Sequence, residues 1–358
     1  MAAQRGDRPA EEAHSRGVVA ISLFSGCGGL DIGSHMAGVP VISSLDFDED
    51  CITTLRLNPI FRKSFIIHDN ICNISGKSYM ETLKARNPEK LIVIGGPPCQ
   101  PFSKAGYWIT NNQRKSDKDP RNMIGEYLRL VSEIRPNGFL LENVESIMHP
   151  TNRHVIDYIV ARSERMGYSV KLIRANALDY GVPQKRKRVI VVGSRKKFNS
   201  KDPRKTHGDP SSCRSLGLIP YVNAGDVIGK YDTPEYYERE EITEGGTYHE
   251  ALRDVPPGKN YIALAKNGNG NSYGFVAGKR FWSFLLKLHP ERPSWTIAAQ
   301  PGPWVGPFHW NSRRLRVPEI AAIQTFPEDY RFHGSRRSKQ QQIGNAVPPL
   351  LAYAVARN

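Results

Sequence analysis

The feature that most restricts what this chain can fold into is a regular alternation along its first half. Short β-branched apolar runs recur: VVAISLF from Val18, VISSLD from Val41, FIIHD from Phe65, KLIVIGG from Lys90, GFLLENV from Gly138 and KRVIVVGS from Lys187. Longer amphipathic stretches lie between them, such as DEDCITTLRLN from Asp48 and NMIGEYLRLVSEI from Asn122. Strands separated by helix-length segments do not close as hairpins. They form βαβ units, which predict an α/β fold: a doubly wound, mostly parallel sheet with helices on both faces. Ligands of such sheets bind outside the carboxyl ends of the strands, so chemistry is expected where these runs end.

The alternation stops at about Arg195. From there to Ser312, Gly, Pro, Asn, Tyr and Lys dominate (KFNSKDPRKTHGDPSS, AKNGNGNSYG), which predicts a smaller, irregular, β-rich inserted domain over 195–312. Helical pattern resumes near Pro318 (PEIAAIQTF), and AVPPLLAYAVA reads as a packed final helix. The main domain is thus expected to be discontinuous, 17–194 with 313–358, behind a flexible tail at 1–16. Charged residues make up 24% of the 358, and no apolar run approaches the ~20 residues of a membrane span, which argues against a membrane protein. Fifty Lys and Arg against 35 Asp and Glu leave +15, a balance that points first to a polyanionic partner, nucleic acid. The five cysteines are scattered without a CxxC pair, so neither a disulfide framework nor a zinc cluster is indicated, and a reducing compartment is expected. The histidines form no ligand cluster, and no metal is expected.

Three strand ends carry the candidate chemistry. The first runs into FSGCGGLDIG, where Phe24, Ser25, Gly26, Cys27, Gly28, Gly29 and Leu30 form a glycine turn leading into a helix, suited to close approach of a nucleotide-type ligand. The second and third end in Asp46, placed for ribose hydroxyls, and Asp69, placed to reach a base. The glycines do not fit GxGxxG, which disfavours a nicotinamide dehydrogenase. The fourth ends in GGPPCQPFS, a rigid turn that presents Cys99 at the ligand edge, where nearby cations or a helix N-terminus favour thiolate. The next ends in ENV, bringing Glu142 to the same edge, and QKRKR places Arg186 and Arg188 at alternate positions before Val189. Nucleophile, acid and guanidinium can converge on one pocket. Gly76-Lys77-Ser78 resembles the end of a P-loop but lacks its first glycine, and His289-x-Glu291 lacks the PCxxC of a zinc deaminase.

In combination and in order, FSGCGG, GGPPCQPFS, ENV, QKRKR and QQIGNAVPP resemble the cytosine-5 DNA methyltransferases, over about Val18 to Ser194 and Asn311 to Asn358. The resemblance implies S-adenosyl-L-methionine as methyl donor, held by the Phe24–Leu30 turn, Asp46, Asp69 and Pro97. Gln342, Gly344 and Asn345 would close that site. It further implies Cys99 as nucleophile on carbon 6 of a flipped-out cytosine, Glu142 at ring nitrogen 3, and Arg186 or Arg188 at the ring carbonyl. The 195–312 block takes the place of the family's target-recognition domain, and its Lys196, Lys197, Asn199, Lys201, Arg204, Lys205, Asn267, Asn269 and Asn271 are candidate DNA donors. The polar segment 103–121 is expected to close over the substrate. Departures from the family's usual motifs are Ser22 for Asp, Asp46 for Glu, and Pro318 before Glu319. The expected partner is double-stranded DNA, and a cognate restriction endonuclease is implied without a stable complex. The expected setting is the bacterial cytoplasm. The alternatives are an RNA cytosine-5 methyltransferase on the same scaffold and a DNA-binding relative without turnover.

Overall fold

The computed structural model describes residues 17–83, 88–98, 123–197, 201–266, 273–275 and 281–358. Seven strands form one sheet: β1 (Val18–Leu23), β2 (Val41–Asp46), β3 (Phe65–His68), β4 (Lys90–Gly95), β5 (Gly138–Val144), β6 (Ser169–Asn176) and β7 (Lys187–Ser194). Their order is β3-β2-β1-β4-β5-β7-β6. The first five pair in parallel, whereas β7 runs antiparallel to both β5 and β6. The strand order therefore reverses between β1 and β4, where a doubly wound sheet opens its ligand crevice. Because β7 is reversed, its first residues, the QKRKR run, lie at the same edge as the carboxyl ends of β4 and β5.

Each face of the sheet is buried because the strands are apolar on both sides. One face packs under α3 (Gly76–Leu83), α4 (Met123–Ile134) and α5 (Arg153–Arg165), with Ile21, Leu23, Val93, Tyr127, Leu128, Phe139 and Leu141 among its buried residues. Tyr127 of α4 drives its hydroxyl between strands, donating to Val93 O and Leu140 O. The other face is covered by α1 (Gly29–Met36) and the last helix, α11 (Pro349–Ala356). These two helices touch backbone to backbone. A Cβ on Gly29 would lie 2.2 Å from Val347 O, and one on Gly33 would lie 2.3 Å from the Ala352 Cβ. Glycine at both positions is what lets the final segment back the first turn.

Two further helices complete the C-terminal segment, α9 (Val317–Ile323) and α10 (Arg336–Asn345), and α2 (Glu49–Leu57) follows β2. The second module is irregular, as expected. Its strands among the described residues are the two-residue β8 (His207–Gly208) and β9 (Ile219–Pro220), supplemented by isolated bridges, so the expected β-rich character is not seen there. Short helices α6 (Ala224–Ile228), α7 (His249–Asp254) and α8 (Ile262–Lys266) hold it instead, because Gly and Pro interrupt every run before a ladder can extend. It has its own small core of Ala251, Leu252, Val255, Tyr261, Leu285 and Phe308. A mixed cluster joins it to the sheet domain through Ala224, Ile228, Leu288 and Ile297 against Ile320, Ile323 and Ile343.

Candidate functional site

The turn after β1 is built for close approach. Phe24, Gly26 and Gly28 all adopt positive φ (56°, 53° and 80°), so three left-handed residues fold the chain back within five positions. Phe24 holds that conformation at a cost of order 1 kcal/mol or more. A Cβ on Gly26 would meet nothing within 4 Å, so open space lies above the turn. Asp46 anchors it from β2: its carboxylate accepts from Gly26 N–H at 2.7 Å and from Asp48 N–H at 3.0 Å. Burial raises the Asp46 pKa, and those two donors oppose the rise. Each carboxylate oxygen retains a lone pair for a ligand hydroxyl. Asp69 stands beyond β3, with Oδ1 accepting from Asn70 N–H and the Asn73 amide.

Not every side chain of the turn faces that space. Cys27 is buried, its thiol donates to Gln342 O at 3.3 Å, and burial pushes its pKa up, so it offers a ligand only backbone. Leu30 is also in the core. Ser25 turns inward to Ser22. Phe47, which the sequence reading passed over, is 68% exposed directly after Asp46 and presents a bare aromatic ring at the strand edge. The signal in the sequence is an aromatic residue directly after the strand-end acid, Asp46-Phe47.

The C-terminal segment closes the rear of the turn. Gln342 is buried, with Oε1 accepting from Thr54 and Nε2 donating to His333 O. Gly344 has no room for a side chain: a Cβ would lie 2.5 Å from the Ala299 Cα. Asn345, the last residue of α10, is exposed.

At the ends of β4 and β5 the second half of the site assembles. Glu142 is 8% exposed, and its Oε1 accepts from Arg188 Nε at 2.7 Å. Its Oε2 lies against Gly96, where an added Cβ would come within 3.0 Å of it. The glycine thus lets the chain cross directly over the carboxylate before it reaches Pro97. Asn143, a residue whose role went unread in the ENV motif, donates from Nδ2 to Pro97 O at 3.1 Å and fixes that crossing. Cys99, together with the 103–121 segment and with Asn199, Asn267, Asn269 and Asn271, lies outside the described residues.

The two arginines of QKRKR part company. Arg188 meets Glu142, whereas Arg186 is 1% exposed and does not stand free at the pocket. Its Nη2 donates to Gly344 O at 2.8 Å and Ala346 O at 3.0 Å, and Nη1 to Ile297 O at 3.4 Å. Burial, reinforced by the charge of Arg188, lowers its pKa well below the arginine value. Arg186, expected with Arg188 at the ring carbonyl, is thus buried with both Nη atoms on backbone carbonyls, while its buried Nε has no partner among the described residues. Gln184 beside it donates to Gln324 Oε1, and Gln324 in turn donates to Ile343 O. Together they bind the QKRKR run, the 294–297 return of the second module and the α10–α11 turn into one unit.

The model of the family described as C-5 cytosine-specific DNA methylase matches residues 18–358. The type II methyltransferase M.SacI of Streptomyces achromogenes is 36% identical over 94% of this chain and 91% of its own length. The type II methyltransferase M1.HphI of Haemophilus parahaemolyticus is 32% identical over 94% and 85%. Among solved structures, a putative DNA modification methyltransferase encoded within an E. coli prophage superposes with a TM-score of 0.63 at 24% identity, over 95% of this chain and 97% of that one. With a family model spanning both halves of the sheet domain and a full-length relative above one-third identity, the chain belongs to the C-5 cytosine-specific DNA methylases, whose methyl donor is S-adenosyl-L-methionine.

Proposed function

We propose that the chain methylates carbon 5 of a flipped-out cytosine within a specific double-stranded DNA sequence through a covalent adduct of Cys99, as the modification enzyme of a bacterial restriction system. The observation that carries this reading is the Glu142–Arg188 pair lying under Gly96 and Pro97, two residues before Cys99. In this reading S-adenosyl-L-methionine supplies an electrophilic methyl group on sulfonium. The open space over Gly26, the anchored Asp46 and the exposed Phe47 fit an adenosyl group: backbone N–H groups below, a carboxylate for the ribose, a ring for the base. Asp69 would take the exocyclic amine of that base, and Pro97 and Asn345 would help to hold the rest of the donor.

Carbon 5 of cytosine is a poor nucleophile on its own. The Cys99 thiolate adds to carbon 6, and the electron pair displaced from the 5,6 double bond makes carbon 5 able to take the methyl. Glu142 Oε1 is occupied by Arg188, so Oε2 is the atom offered to ring nitrogen 3, and a proton carried there is donated to that nitrogen to offset the negative charge that the addition creates. Arg188 both orients that carboxyl and faces the ring carbonyl. Loss of the carbon 5 proton to a base, with return of the electron pair, expels the thiolate and restores the ring. Carbon 6 is hidden in a duplex, so the cytosine must leave the stack.

Residues 17–194 and 313–358 form the catalytic domain in this proposal, and 195–312 reads the sequence. A partner endonuclease and a cytoplasmic, nucleoid-associated location follow from the same reading. Duplex DNA with 5-fluorocytosine in place of the target should trap the protein, since fluorine cannot leave as a cation, and mass spectrometry should place the adduct on Cys99. An adduct on Cys27 or Cys213, or methylation of RNA but not of DNA, would overturn it. Bisulfite sequencing of DNA from expressing cells supplies the sequence context.

A further inference from the structure

The edge that carries Glu142 and Arg188 continues into a wall that the reaction does not use. Because β7 is antiparallel, Lys185 and Lys187 emerge at that edge, both exposed. The return of the second module is stitched beside them: Lys185 N–H donates to Ser294 O at 2.8 Å, Ser294 N–H to Pro183 O at 2.8 Å, and the Thr296 hydroxyl to Lys185 O at 2.6 Å. This ladder fixes Trp295 next to Lys185, whose ammonium sits over the indole at 4.7 Å from the ring centroid. Trp282 completes the wall, edge-on to Trp295 at 5.4 Å and 75°. It is 49% exposed, yet its backbone is held, since the buried Asn260 donates to Trp282 O at 2.7 Å.

A half-exposed indole held rigid beside the Lys185 ammonium and a second indole is a contiguous surface that suits a ligand with both apolar faces and negative charge. The cover must carry negative charge to suit Lys185, since Lys187 and Arg188 already face Glu145 and Glu142, and flat apolar faces to suit the indoles. Nucleic acid has both, and it is the polyanion that must cross this edge for a base to reach Glu142. We propose that Lys185, Trp295 and Trp282 form a DNA-contact surface on the wall between the active edge and the second module, with Trp282 packing on a base or sugar next to the extruded cytosine and Lys185 on the adjoining phosphate. The surface rests on the methyltransferase reading but is separate from the catalytic pair and from the donors expected to read bases. Lys185 is positioned by its contact with Trp295, so the indole acts both as a platform and as the strut that aims the ammonium.

The test measures duplex binding by quenching of tryptophan emission, independently of turnover, alongside methylation kinetics. Trp282→Ala should weaken duplex binding and raise KM for DNA roughly tenfold, the loss expected for one stacked base, and Trp282→Phe should recover most of it. Lys185→Gln should weaken all sequences alike and reduce the slope of log affinity against log salt by about one, whereas Lys185→Arg should keep it. KM for S-adenosyl-L-methionine should stay within about twofold throughout, which a general loss of structure would not allow. Methylation by the wild type with unchanged DNA affinity and salt slope in Trp282→Ala and Lys185→Gln would overturn this surface and leave the activity standing. Quenching and variant effects without methylation would do the reverse.

Discussion

Two buried polar clusters hold the molecule at opposite ends of its chemistry, and they do so by different means. Under the glycine turn, Asp31 is fully buried with no cation on it. Its two oxygens accept from Ser44 at 2.7 Å and Ser22 at 2.8 Å, and Ser25 extends the chain of hydroxyls. At the seam between the second module and α9, charges meet charges. Arg313 forks onto Glu319 at 2.6 and 2.9 Å and reaches Asp232 at 2.8 Å, while Arg316 grips Glu241 with two nitrogens and also donates to Tyr231 O. Burial pushes Asp31 up to about 6, and the hydroxyls only moderate it. Burial also presses on Asp232 and Glu241, but the arginines outweigh it and hold both below the ordinary carboxylate range. Glu319, fully buried in the same seam, is instead raised by burial despite its fork to Arg313, so an arginine lowers a carboxylate only where burial is incomplete.

The largest expected effect breaks the seam. Arg316→Ala strands Glu241 without its cation in a buried setting, and equilibrium denaturation should show about 3 kcal/mol lost. The double variant Arg316→Ala, Glu241→Ala should recover part of that, because no unpaired charge remains. A loss no greater for the single variant than for the double would mean the pair is not electrostatically coupled.

Asp31 should also respond to pH with a sign opposite to that of Asp232 and Glu241. The folded pKa of Asp31 lies above its unfolded value of 3.8, so the folded state holds the proton more tightly. Its contribution is therefore greatest below the unfolded pKa and is lost as pH rises through about 6, by roughly 3 kcal/mol. Asp232 and Glu241 have lowered pKa values, so their contribution is present above the unfolded carboxylate range and disappears as pH falls through the folded values. Denaturation midpoints of wild type and Asp31→Asn compared between pH 4 and 7 should converge or cross as the acid limb of Asp31 is removed. Parallel curves would show that Asp31 does not titrate there.

The smallest effect sharpens the contrast by removing burial from it. Arg153 and Asp157 form a pair of the same chemistry on α5, but their side chains are 68% and 59% exposed. Arg153→Ala should cost no more than about 0.5 kcal/mol, less still at high salt. A cost near that of Arg316→Ala would make charge, rather than desolvation, the deciding quantity.

Much of this architecture was legible because the central parallel strands are mostly apolar on both faces and so announce themselves as runs. β6 was not, since SVKLIRAN at the sheet edge alternates Lys171 and Arg174 with apolar residues and is mostly half-buried. The fate of Arg186 was equally hidden. Spacing puts it on the same side as Arg188, and only the folded position of the Gly344 and Ala346 carbonyls, some 160 residues away, separates a structural guanidinium from one at the site. Pro318 departs from the family motif yet fits α9, because it occupies the first turn, where its missing N–H is not needed, while Glu319 accepts from Arg316 N–H. The second module's composition announced irregularity but not which irregular structure, since Gly and Pro say where ladders stop and not what replaces them.

The contact of the glycine turn with α10 has a kinetic consequence. Cys27 and Gln342, which meet behind the glycine turn, are separated by 315 positions. Most strand pairings in the sheet join much nearer neighbours, so chain-closure entropy falls most heavily on the contacts that back the cofactor turn. A sheet that has already formed still lacks its ligand pocket until the two ends of the chain find each other. Recovery of cofactor binding, followed after dilution from denaturant, should therefore trail recovery of strand signal.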